Sequence, residues 1–209
     1  MTLQRRPRSA ERLVLGLLAT LLAGAGTLLA GQAAYIHAKA QLAQILLERA
    51  FLASIGTGQP VKPWNWADTW PAARIRAPRL DAEAIVLAGS SGQALAFGPA
   101  HLERTPPPGN PGTTVYAAHR DTHFRFLEHL KPGDALEILD ASGARHMYAV
   151  THTSVVDWNA SGIDPTAAGH RLVLATCWPF ASRTPGPLRY LVHARPSPPT
   201  DNRTSRSND

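Results

Sequence analysis

Cys177 is the single cysteine of a 209-residue chain, so its thiol forms no intrachain disulfide and belongs to no cysteine-rich zinc or iron–sulfur site. It is core filler, a bridge to another chain, or a reactive group. It ends the run Arg171-Leu172-Val173-Leu174-Ala175-Thr176-Cys177, whose lack of polar alternation fits a strand buried on both faces, with the thiol at the mouth of a barrel. Ten residues, Trp178 to Pro187, lead to the next strand-like run, Leu188 to Arg195. A connection of that length returns the chain antiparallel and brings Arg189 within one or two pairing steps of Cys177, about 5–8 Å between Cα atoms. A guanidinium beside a thiol favours the thiolate and holds a developing oxyanion. Proton exchange needs a third group. Among nine histidines, His119 is the best placed, because it ends Thr113-Thr114-Val115-Tyr116-Ala117-Ala118-His119 just before the polar turn Arg120-Asp121-Thr122, and strand ends commonly mount functional side chains. Thiol, imidazole and guanidinium are the parts of nucleophilic acyl transfer.

These groups need a scaffold of short strands. From Arg74 onward, runs rich in Val, Ile, Leu and Tyr are separated by Pro, Gly and Asp, which predicts strands near 74–80, 84–88, 94–98, 113–119, 135–140, 146–157, 171–177 and 188–194. Eight short strands imply an all-β domain, closed or nearly closed into a barrel. Phe124, Leu127 and Leu130 are helically spaced ahead of Pro132-Gly133, which predicts a short helix between the fourth and fifth strands. Charged residues are only 17% of the chain, with 16 Gly and 18 Pro, which excludes a long bundle or coiled coil.

Before the strands, Leu13 to Ile36 is 24 residues without a charge, long enough to cross ~30 Å of hydrocarbon as a helix. Arg5, Arg6, Arg8 and Arg12 stand immediately upstream. The positive-inside preference then places the N-terminus in the cytoplasm and the rest across the inner membrane, in the periplasm. An anchor is favoured over a cleaved signal, because the apolar run exceeds the usual 7–15-residue signal core. The same arginines account for most of the +6 net charge, so a nucleic-acid partner is not expected. The chain divides into a basic N-terminus (1–12), a transmembrane helix (13–36), a stalk helix with a Pro- and Trp-rich linker (37–73), a catalytic barrel (74–195) and a tail (196–209) expected to be disordered. Trp64, Trp66 and Trp70 in the linker are expected to cap a core or sit near headgroups rather than bind a ligand.

Ala117-Ala118-His119-Arg120-Asp121-Thr122-His123 with the residues that follow, Leu172 to Phe180, and Gly186 to Ala194 resemble the His-, Cys- and Arg-containing blocks of the sortase family. The stretch from Trp66 to Leu102 is similar to the front half of its Gram-negative, marine-proteobacterial-type branch, and the resemblance covers roughly 64–195. One departure is Ala118, where many members carry Gly before the histidine. The resemblance implies an eight-stranded sortase barrel that cleaves an LPxTG-like sorting signal near the C-terminus of an exported protein. It would pass through a thioacyl enzyme and join the new carboxyl end to an amine acceptor. It implies Cys177 as nucleophile, His119 as acid and base, Arg189 as oxyanion or backbone clamp, and Thr176 as a contact to substrate, with no cofactor and no metal.

Three other readings stand beside it. His119 and His123 are spaced as helical zinc ligands are, without the Glu of a metalloprotease motif. An exported cysteine hydrolase or an L,D-transpeptidase would use the same thiol, although Trp178-Pro179 follows Cys177 where the latter carries a nearby arginine. A membrane-tethered barrel that only binds would keep Cys177 as inert core.

Overall fold

The computed structural model describes residues 8–182 and 184–198; the ends of the basic N-terminus (1–7) and of the expected tail (199–209) lie outside them. The segments expected to span the membrane and to form the stalk are both helical, within α1 (Arg8–Thr57, 50 residues). The chain resolves into two compact units, one through Ala43 and one from Gln44 onward.

In the first unit, Leu13, Leu21, Leu28 and Tyr35 are all more than 60% exposed, and the helix is long and apolar enough to cross a membrane. Its two threonine hydroxyls are satisfied internally. Thr20 and Thr27 donate to the carbonyls of Gly16 and Ala23, at 2.9 and 2.8 Å, which removes the cost of a bare hydroxyl in an apolar medium.

In the second unit, the last turns of α1 bury Leu47 and Phe51 in a cluster with Ile85, Leu87 and Ala94. The Arg74 guanidinium lies 5.1 Å above the Phe51 ring and pairs with Glu48. The helix stops at Gly58, whose φ of +67 suits a residue without Cβ and whose N–H donates to the Ser54 carbonyl at 2.9 Å. In the linker, Trp64 packs edge-on against Phe97 at 5.0 Å, while Trp66 is 80% exposed.

Eight strands follow: β1 (Pro71–Ala77), β2 (Ala82–Ala88), β3 (Ala100–His101), β4 (Gly112–Ala117), β5 (Ala135–Asp140), β6 (Arg145–Asp157), β7 (His170–Cys177) and β8 (Leu188–Pro196). They form a closed barrel in the order β1-β2-β3-β4-β7-β8-β6-β5, with β1 pairing back onto β5. Two pairings, β2–β3 and β4–β7, are parallel. The interior is filled by Ile75, Tyr116, Leu136, Ile138, Leu172, Leu174 and Val192, with Phe124 and Leu127 of the β4–β5 connection packed into the same cluster. That connection carries a 3-10 helix, Arg125–His129, where the sequence predicts a short helix.

One expected strand is absent. Residues 94–98 fall mostly within α2 (Gly92–Phe97), whose Ser91 cap accepts from the Ala94 N–H at 3.1 Å. Gln-Ala-Leu-Ala lacks the β-branched residues that favour a strand and is made of good helix formers. The third strand is instead the two-residue β3, too short to leave a periodic signal.

Candidate active site

The residues of β7 alternate between two apolar environments. Leu172 and Leu174 belong to the barrel interior, whereas Val173 belongs to an outer cluster with Val115 and Leu191, against which Ala175, Val156, Leu102 and Ile163 pack. Both faces are covered, so the strand reads as a continuous apolar run. Counting on by twos, Thr176 faces inward and Cys177 outward. The thiol therefore lies on the outer face at a strand end, beside the barrel mouth rather than in it, and is half-buried.

The two strands flanking β7 carry the other two groups. In the antiparallel β7–β8 ladder, Cys177 is directly opposite Arg189. In the parallel β4–β7 ladder, the last registered pair is Ala117 with Ala175, and the Ala118 N–H extends it by donating to the Ala175 carbonyl at 3.2 Å. The same offset carries His119 to the position beside Cys177. Neighbours on adjacent strands, about 4.8 Å apart, point to the same side of a sheet. His119, Cys177 and Arg189 thus form one row across β4, β7 and β8, facing outward, with His119 exposed and the other two half-buried.

Local contacts hold this row. The Thr176 hydroxyl is buried inside the barrel and donates to the Ala118 carbonyl at 2.7 Å, which leaves its backbone as the part able to make the substrate contact that the family resemblance implies. That hydrogen bond pins the end of β4 one residue before His119. The Arg189 Nη1 donates to the carbonyls of Gly186 and Leu188, both at 2.9 Å, which fixes the guanidinium beside its own strand. Just past Cys177, Trp178 stacks on Tyr190 at 5.5 Å and meets Phe180 edge-on at 5.6 Å, so the β7–β8 loop leaves the strand in a defined direction. Arg120 ties the two loops together by donating from Nη2 to the Thr184 carbonyl at 2.9 Å. Burial pushes His123 below the usual imidazole range, and the nearby His119 adds to that.

The outer face also has a wall with no local signature in the sequence. The β6–β7 loop is bound to the start of β4: Thr113 donates its N–H to the Pro165 carbonyl at 3.0 Å and its hydroxyl to the Asp164 carbonyl at 2.8 Å. Gly112, with a φ of +116, lies where a Cβ would meet the Pro165 oxygen at 2.3 Å, so only glycine admits the close approach. Ile163 of this loop closes over Val115, Val173 and Leu191. An apolar surface therefore runs down the outside of β7, away from Cys177.

A thiol with an imidazole on one side and a guanidinium on the other, at the end of an apolar face, is equipped for acyl transfer. Among the described residues, no group of three or more His, Cys, Asp and Glu is arranged to hold a metal ion.

A Sortase domain model matches residues 75–197, a stretch that contains all three groups, and the chain belongs to the sortase family. It is 30% identical over 122 residues to Sortase D of Bacillus subtilis, an alignment covering 58% of this chain and 61% of that relative; the chain thus spans about three fifths of that protein's length. Among solved structures, it resembles the pilus-related Sortase C of Group B Streptococcus with a TM-score of 0.54 and 30% identity, covering 61% of this chain and 68% of the other. The Sortase D5 transpeptidase of Clostridium perfringens shares the fold with a TM-score of 0.59 at 19% identity, covering 74% of this chain and 96% of that one.

Proposed function

We propose that the chain is a membrane-anchored sortase transpeptidase that cleaves an LPxTG-like C-terminal sorting signal of an exported protein and transfers the new carboxyl end to an amine. The observation that carries this reading is the row of His119, Cys177 and Arg189 across three adjacent strands. The Cys177 thiolate attacks the scissile carbonyl carbon, and the Arg189 guanidinium steadies the oxyanion or the substrate backbone. His119, in its protonated form, gives its proton to the departing amine as the C–N bond breaks. A thioester remains. An incoming amine attacks it, passes a proton to the now neutral His119, and Cys177 leaves as thiolate.

The outer side of β7 where the enclosed layer ends, between Ala175 and Cys177 with Ile163 as its wall, would hold the donor peptide upstream of the scissile bond. The N-terminal helix suits a single-pass inner-membrane anchor with the barrel on the periplasmic side. Tethering matters because ligation outruns hydrolysis only where acceptor and donor are locally concentrated, and a shared membrane raises their effective concentration.

The test is incubation with an LPxTG-like peptide, with and without an added amine. A ligated product and a trapped peptide–Cys177 thioester are expected. Hydrolysis alone, unchanged by amine, favours a peptidase, and an intact peptide overturns the enzymatic reading.

A further inference from the structure

The loops that continue β4 and β7 past His119 and Cys177 flank an open cleft of about 680 Å³, a size typical of small-molecule sites. Arg120, Asp121, Arg125 and Glu128 line one side, and Phe180 to Ser182 the other. Among the described residues, none of these four charged side chains takes part in an ion pair. Arg120 is anchored through Nη2, but its Nη1 is buried without a hydrogen-bond acceptor. A small turn of that guanidinium, or an anion reaching in, would satisfy it.

We propose that this cleft is the acceptor site and that it selects an amine bearing a carboxylate. The proposal rests on the transpeptidase reading above. In such a reaction the acceptor amine attacks the carbon that the leaving amine has just vacated, so it must arrive from the side by which that amine departs. In that reading the donor lies on the Ala175 side of Cys177, over the outer side of β7. The side left for the acceptor is the one beyond the strand ends, where His119 leads directly into Arg120 and Asp121. Two cationic and two anionic side chains around one space complement a zwitterion better than a simple alkylamine or a polyanion. Asp121 and Glu128 draw in the ammonium, which gives one proton to solvent and, as the new amide bond forms, a second to His119. Arg120 and Arg125 hold the carboxylate with charge-assisted hydrogen bonds.

Two probes isolate the carboxylate: Nα-acetyl-lysine and its C-terminal amide, which share one reactive amine and nearly the same size. Ligation to an LPxTG-like peptide is followed by mass spectrometry against probe concentration, and donor cleavage is measured separately without probe. The wild-type protein is expected to reach half-maximal ligation at about tenfold lower concentration of the acid than of the amide, the size of one charge-assisted interaction. Arg125→Gln should narrow that ratio to about twofold, and Arg120→Gln should act in the same direction; since Arg125 is exposed and the only hydrogen bond it donates among the described residues is from its backbone N–H to the Thr122 carbonyl, its substitution leaves the loops in place. Equal half-saturation for the two probes in the wild-type protein, or a ratio that both variants leave intact, overturns the acceptor site while ligation to the probes still upholds the transpeptidase. A wild-type protein that fails to cleave the donor, or cleaves it without ligating either probe, overturns both.

Discussion

The two faces of β7 carry the same kinds of residue and do different things. Leu172, Leu174 and Thr176 face the interior, where they meet Tyr116 and Ala118 of the β4 side and Val192 and Ala194 of β8. Val173, Ala175 and Cys177 face outward into a smaller cluster that ends in the open. The inner face is fully enclosed and its side chains are worth stability. The outer face is enclosed only as far as Ala175, and its last residue has neighbours on two sides but space in front. Chemistry is placed where the second apolar layer stops.

Substitutions two or three residues apart on one strand should therefore separate activity from folding. Cys177→Ala is expected to abolish turnover while changing unfolding free energy by less than about 1 kcal/mol, because only a half-buried sulfur is removed. Leu174→Ala should do the reverse, costing about 2–5 kcal/mol in denaturant unfolding by leaving a cavity in the interior, with kcat per folded molecule retained. A Cys177→Ala protein that unfolds at low denaturant would make the thiol a core residue and erase the distinction between the faces.

Arg189→Lys tests the outer row one strand over. Lysine keeps the positive charge but has no planar fork with which to bond the Gly186 and Leu188 carbonyls and still present donors to the site. A fall of about 10–100-fold in kcat/KM is expected, the range for loss of one or two oriented donors. Near-normal kinetics would remove Arg189 from the reaction.

Thr176 is the link between the faces, since its side chain points inward and its backbone neighbours point out. Thr176→Val preserves shape and leaves the buried Ala118 carbonyl without its donor. About 1 kcal/mol of stability should be lost, together with a several-fold fall in kcat as the end of β4 loosens beside His119. Thr176→Ser, which restores the hydroxyl, should recover kcat; failure to recover would show that the methyl group, not the hydrogen bond, sets the position.

Much of this arrangement is legible in the sequence. The unbroken apolar run ending in Cys177 and the ten-residue return to Leu188 are enough to place Arg189 within one or two pairing steps of the thiol, because an antiparallel return leaves few registers open; the structure sets the two directly opposite. His119 is legible as a strand end, but its alignment with Cys177 depends on a parallel pairing between strands far apart in sequence, which no local pattern encodes. The face of Thr176 is not legible for a related reason. A strand covered on both sides has no polar alternation to reveal which residues point in. The wall around Ile163 and the cleft beside Arg120 are built by loops, whose shapes follow from contacts such as Thr113 with Asp164 rather than from composition.

The smallest effect expected is on pH dependence, and it extends the comparison from β7 to the histidines around it. His193, on the outer face of β8, stacks on His152 with ring centroids 4.2 Å apart and has its Nε2 3.0 Å from the Ser154 hydroxyl. Burial first, and then the charge of His152, holds it below the usual imidazole value; Arg171 and Arg195 line the same pocket, with Asp164 partly offsetting them. Burial also lowers His101 and His123. A group whose folded-state pKa lies below its unfolded one takes up fewer protons in the folded chain, so its contribution to stability is complete above the unfolded value of about 6.5 and is lost as pH falls. Thermal unfolding should therefore be nearly flat between about pH 8 and 7 and fall between about 6.5 and 5, above the range where Asp134 and Asp164, both held low by hydrogen bonds, become protonated. His193→Gln keeps a polar side chain but cannot charge, and it should flatten part of that slope without altering the site row. A melting temperature that holds steady or rises down to pH 5 would mean that the enclosed outer face tolerates charge as well as the open end does.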